Sequence, residues 1–90
     1  IKNVATDESS DLTLDGMFVA IGLVPQNDIF KNIINLDERG YVNATENCLT
    51  NARGIFVAGD CRTKTIRQVI TAAGDGAVAA LAACDYVDEN

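Results

Sequence analysis

Gly59-Asp60 ends the short apolar run Ile55-Phe56-Val57-Ala58, and the pair Arg67-Gln68 follows across a short polar loop. Glycine lets a ligand lie against the main chain, and an aspartate carboxylate accepts hydrogen bonds from the hydroxyls of a sugar or polyol. A helix opening near Arg67-Gln68 presents unpaired amides that stabilise negative charge in front of them. A group that becomes anionic during turnover gains most from that position. Arg62, Lys64 and Arg67 add positive charge to the same stretch, although a plain solvated loop is the competing reading for Arg62 and Lys64.

The elements that must position these residues are short. Ile55–Ala58 reads as a buried strand, and so does the continuously apolar Met17–Ile21, which stops at Gly22 before Pro25. Lys2–Thr6 and Asp11–Leu14 are weaker strand candidates flanking a polar turn, Asp7–Ser10. Asn27-Asp28 opens a short helix through about Asn32, with Asp28 at the positive end of its dipole. Asp37–Gly40 is a hairpin turn between Leu36 and Tyr41-Val42, with Gly40 free to take positive φ. Arg67 to Val87 favours one helix. Ala73, Gly76, Ala77, Ala80 and Cys84 fall on one face of it, and Gly74 and Gly76 together cost about 2 kcal/mol relative to alanine. A closely approaching backbone or flat ligand accounts for that cost; an ordinary alanine-rich helix on a sheet is the bland alternative. The fold class is α/β.

Composition narrows the function. The chain of 90 residues is 48% hydrophobic and carries a formal charge of -6, which disfavours nucleic acid and anionic membranes as partners. It has no histidine and 3 cysteines without a C-x-x-C pair, so neither a zinc site nor a disulfide framework is expected. Free thiols and polar residues 1–15, lacking a signal-peptide pattern, point to a cytoplasmic location. Val69–Cys84 is too short and too weakly apolar to span a bilayer. The start at Ile1 rather than methionine suggests an excised or processed piece.

Two motifs are set aside. Gly74-Asp75-Gly76-Ala77-Val78-Ala79 satisfies G-x-G-x-x-A, but no strand precedes it and too little chain follows for the second strand and its acid. Asn43-Ala44-Thr45 matches a glycosylation sequon, which has meaning only in a secreted chain.

Gly54–Asp60, Arg67-Gln68-Val69 and Thr71–Ala77 closely resemble the C-terminal flavin-binding segment of bacterial thioredoxin reductases, class II members of the pyridine nucleotide-disulfide oxidoreductases. Asp15–Gly22, followed by Pro25, resembles the strand that returns their chain from the NADPH domain to the FAD domain. The resemblance implies a partial FAD/NAD(P)-binding Rossmann-like domain, with residues 1–14 ending the NADPH-domain region and 15–90 forming the C-terminal part of the FAD domain. It implies that Gly59 and Asp60 approach FAD, with Asp60 on the ribityl chain. Gln68 and Val69 amides would meet the pyrimidine edge, and Arg67 would lie near the ring, whose reduced anionic form the helix mouth would favour. NADPH would bind outside this segment, thioredoxin would be the partner, and a homodimer is expected. No catalytic or metal residue is implied here. Arg53 stands where proline is usual, loosening a turn, and Cys61 where valine or isoleucine is common. The alternatives are a flavin reductase serving ferredoxin or a peroxidase system, and a non-enzymatic, self-associating fragment.

Overall fold

The computed structural model describes residues 1–90. Its one long regular element is helix α1, Val69–Asp88. Elsewhere the chain is stitched by isolated pairings, antiparallel at Lys2–Ser9, Leu36–Val42 and Leu49–Phe56 and parallel at Val42–Arg62. Asp28–Phe30 forms a single 3₁₀ turn rather than a helix through Asn32.

The Asp37–Gly40 hairpin forms as its residues dictate. Asp37 Oδ1 accepts the amides of Arg39 and Tyr41, both at 2.9 Å, and Gly40 takes φ +88°. A small core of Ile34, Val42 and Val57 lies beneath it, flanked by Leu36, Ala44, Ala52 and Cys61. Val42 links two layers of this unit: its amide donates to Cys61 O and its carbonyl accepts from Thr63 N–H, each at 2.9 Å. Buried Asn27 donates from Nδ2 to both Gly40 O and Cys61 O at 2.9 Å.

Several expected features of the first 24 residues are corrected: Lys2–Thr6 is no strand, with only Lys2 bridged, and Asp11–Leu14 makes no pairing at all. The polar turn lies earlier than Asp7–Ser10: Asn3 Oδ1 caps the amides of Ala5 and Thr6, Asp7 takes φ 63°, and Asn3 N–H reaches Glu8 O. Met17–Ile21 is not a buried strand. It runs without a paired neighbour, with Phe18 at 102% relative exposure and Met17, Val19 and Ile21 also open. Strand burial and strand hydrogen bonds are supplied by neighbours, and these 90 residues bring none to this run.

Helix α1 faces the body with Ala72, Asp75, Ala79, Ala82, Ala83 and Tyr86, leaving the small-residue face Ala73, Gly76, Ala77, Ala80 and Cys84 exposed. A Cβ built at Gly74 or Gly76 meets nothing, so neither glycine is required by packing within this chain. The helix reaches four residues beyond Cys84. Contrary to the expectation for Val69–Cys84, α1 is long and apolar enough to cross a membrane by length and composition, with hydropathy 1.2. Asp75, buried on this helix, ties it to the preceding loop.

Candidate functional site

The loop Gly59–Lys64 and the opening turn of α1 come together through their main chains. Gly59 takes φ +88°, a conformation that favours glycine, and turns the chain out of the Ile55–Ala58 run. Arg67 then reaches back over the loop: Nε donates to Asp60 O and Nη2 to Arg62 O, both at 3.0 Å. Its guanidinium lies 3.9 Å from the Tyr41 ring centroid, a cation–π stack that holds the side chain over the loop. The Ile55–Ala58 run is not the buried strand expected, since only Phe56 is bridge-paired and only Val57 is buried, but its end and the helix mouth are thereby adjacent.

Each sequence-expected residue has a definite place. Gly59 is buried, with its amide engaged from below, while Asp60 is exposed and its carboxylate makes no hydrogen bond or ion pair within the chain. Asp60 shares a shallow concavity with Leu23, Val24, Pro25, Tyr41 and Cys61. Gln68 caps α1 in an extended conformation, φ -139° and ψ 160°. Its amide donates to Thr71 Oγ1 at 3.1 Å, and Thr71 Oγ1 returns a bond to Gln68 O at 2.9 Å. The first helical amide bond runs from Ala72 to Gln68, which leaves the amides of Val69 and Ile70 without a main-chain acceptor. Val69's side chain is exposed, and Arg67 is directed along the loop toward Tyr41.

Beneath the loop lies a charge cluster the motif reading passed over. Asp75, 6% exposed on the buried face of α1, accepts from Arg62 Nε at 2.6 Å and Arg62 Nη2 at 2.7 Å, a bidentate fork. The same carboxylate accepts from Lys64 Nζ at 3.0 Å and from the Gly59 amide at 2.9 Å. Arg62 is 2% exposed, and its Nη1 donates to Thr63 O at 2.8 Å. Arg62 and Lys64 are therefore structural cations, not a solvated loop. The Arg62 fork holds the Asp75 carboxyl well below the usual carboxylate range, with help from the Gly59 amide and Lys64, against the opposing cost of burial. The Asp75 bond in turn pushes the Arg62 guanidinium upward. Fully buried Cys48, at φ 59°, donates from Sγ to Asp75 O at 3.5 Å, and burial, with the Asp75 charge second, raises its thiol.

The sequence did carry a signal for this cluster: an acid within the apolar, small-residue run of α1, preceded by two basic residues. The G-x-G-x-x-A match drew that acid into a loop pattern, whereas in the helix it faces inward. Arg53 also makes a contact the sequence reading did not foresee: its guanidinium lies 5.5 Å from the Tyr86 ring centroid.

Could these residues take a flavin nucleotide? An uncommitted carboxylate at a glycine-turned strand end, beside helix amides without acceptors, matches hydroxyls and a partially anionic ring edge; the donor set fits.

Comparison with known proteins places the chain in a family. Residues 1–76 match the family described as pyridine nucleotide-disulphide oxidoreductase. The chain is 44% identical to the thioredoxin reductase of Peptoclostridium acidaminophilum, over 99% of this chain and 30% of that protein. It is 47% identical to a Clostridium pasteurianum protein described as a 34.2 kDa protein in the rubredoxin operon, over 97% of this chain and 28% of the other. Among solved structures, the thioredoxin reductase of Lactococcus lactis in its FR conformation superposes with TM-score 0.80 at 39% identity, covering 99% of this chain and 29% of that one. The chain thus spans under a third of the length of these relatives.

Proposed function

The chain belongs to the pyridine nucleotide-disulphide oxidoreductase family, and on that premise we propose that it forms one wall of the FAD site of an NADPH-dependent thioredoxin-disulfide reductase. The observation that carries the proposal is the 3.0 Å bond from Arg67 Nε to Asp60 O. It joins strand end to helix mouth while leaving the Asp60 carboxylate free. FAD bound here would supply two-electron redox chemistry between a nicotinamide nucleotide and a disulfide. The chain's own residues would orient it: Asp60 would accept from the ribityl hydroxyls, and the Val69 and Gln68 turn would offer its positive end to the ring edge. Because Gln68 N–H is engaged by Thr71 Oγ1, the Val69 amide is the better donor.

Residues 1–14 belong in this reading to the return from the NADPH-binding region and 15–90 to the FAD region, with NADPH bound elsewhere. Thioredoxin is the acceptor, the enzyme is a homodimer without nucleic-acid or membrane partners, and the free thiols Cys48, Cys61 and Cys84 suit a cytoplasmic compartment. The test is the flavin content of the full-length protein carrying this chain. Asp60→Ala should lower FAD affinity at least tenfold, the order of one or two hydrogen bonds to a charged acceptor. A yellow, fully loaded Asp60→Ala protein would refute the site.

A second reading keeps the flavin site but changes the acceptor, since a 47% identical relative is described only by its rubredoxin operon. NADPH-driven reduction of thioredoxin by the full-length protein separates the two. Failure with thioredoxin, together with rapid reduction of a ferredoxin or a peroxidase-system disulfide, selects the second.

A further inference from the structure

We propose that Asp75 is a positioning residue for the flavin, acting through the Gly59 peptide and the Arg62–Lys64 pair to set the distance between the Asp60 end and the mouth of α1. This rests on the flavin reading above. Asp75 lies about two turns into the helix, 6% exposed, yet its carboxylate engages four donors of the incoming loop. The Gly59 amide is one of them, immediately before Asp60 in the chain. Several main-chain groups of the turn are tied in the same way. Gly59 N–H is held by Asp75, Asp60 O and Arg62 O by Arg67, and Cys61 O by Asn27 Nδ2 and Val42 N–H. Three of these ties come from α1 or from Arg67 just before its cap, and the Asp75 tie alone runs from the helix interior to the residue that turns the chain out of the Ile55–Ala58 run. A rigid turn with one free carboxylate is a preorganised ligand, because little ordering cost is left for the cofactor to meet.

A purely structural role makes a different prediction. Replacing a buried charge cluster by apolar side chains of similar volume is often neutral or stabilising, whereas removing one partner strands the others. The full-length Asp75→Leu/Arg62→Leu/Lys64→Met variant therefore separates stability from placement. We expect it to unfold near the wild-type temperature but to bind FAD ten- to a hundredfold more weakly, because no side chain at 75 accepts the Gly59 amide. Wild-type FAD affinity in that folded variant overturns the proposal.

A measurement on the unmutated protein decides the question even if the variant fails to fold. Hydrogen exchange of the Gly59 amide in the flavin-stripped protein should already be as slow as in the loaded one. Fast exchange that slows only when FAD is added would show that the cofactor, not Asp75, orders the turn, and would equally overturn the proposal. Asp60→Ala serves as the control: if it abolishes FAD binding while the triple variant binds normally, only this inference falls. If Asp60→Ala has no effect, the flavin reading falls first.

Discussion

At the scale of single residues, charge burial decides the behaviour. Removing Asp75 alone leaves Arg62, 2% exposed, with only the solvent-exposed Glu46 carboxylate at 3.7 Å, and breaking a buried pair in this way costs roughly 3–5 kcal/mol. Asp75→Ala should thus unfold the Gly59–α1 region, visible as lost helix signal in circular dichroism. The pH dependence has a fixed sign. A carboxyl whose folded pKa is depressed stabilises fully above its unfolded value, about 3.9, and loses that contribution as pH falls below it. Wild type should therefore show an acid transition below about pH 4 that is weaker in the Asp75→Leu/Arg62→Leu/Lys64→Met variant; identical acid curves would contradict the assignment. The thiols should also separate. Cys84 is exposed, whereas Cys48 is fully buried with its thiol pushed up by that burial. Brief native alkylation at neutral pH should label Cys84 and spare Cys48, as peptide mapping would reveal.

At the scale of elements, α1 is fixed at both ends by different physics. Its first half is bound electrostatically through Asp75. Its last turns are held by Tyr86, which meets the Phe56 ring edge-on at a 6.2 Å centroid distance and receives the Arg53 guanidinium. Gly54 makes this second attachment possible. It takes φ +83°, and a Cβ there would stand 3.0 Å from Tyr86 Cζ. Gly54→Ala combines a left-handed backbone with a displaced ring and should cost roughly 1–3 kcal/mol. Its thermal midpoint should fall by several degrees, and Tyr86→Leu in the same background should recover part of the loss. A Gly54→Ala protein as stable as wild type would mean that Tyr86 is not seated there.

At the scale of the whole molecule, the 90 residues bury only 9 and extend 63 × 28 × 19 Å. The radius of gyration is 19.1 Å, against about 12 Å for a self-contained domain of this length. The exposed run Met17–Val24 and the open small-residue face of α1 are apolar surfaces without a neighbour in this chain. Apolar area of this kind drives association. The isolated chain should sediment as a dimer or larger species and bind FAD poorly, since only one wall of the proposed site is present. A compact monomer that binds FAD with micromolar affinity in calorimetry would overturn both expectations.

What the sequence determined by itself were the features with local causes. The Asp37–Gly40 turn, one long helix (expected from about Arg67 to Val87 and found at Val69–Asp88) and the Gly-Asp break after Ile55–Ala58 follow from turn chemistry, helix propensity and glycine freedom, all written within a few residues. The family resemblance, carried by motif order, was legible for the same reason: each motif is contiguous. What only the tertiary structure decided were relations between distant positions. Asp75 meeting Gly59 and Arg62, Arg67 stacking on Tyr41, and Met17–Ile21 finding no strand to pair with each depend on what lies across space. Propensity acts along the chain, whereas desolvation and charge pairing act through the volume the fold encloses, so a buried acid and a bare strand could be recognised only once that volume was known.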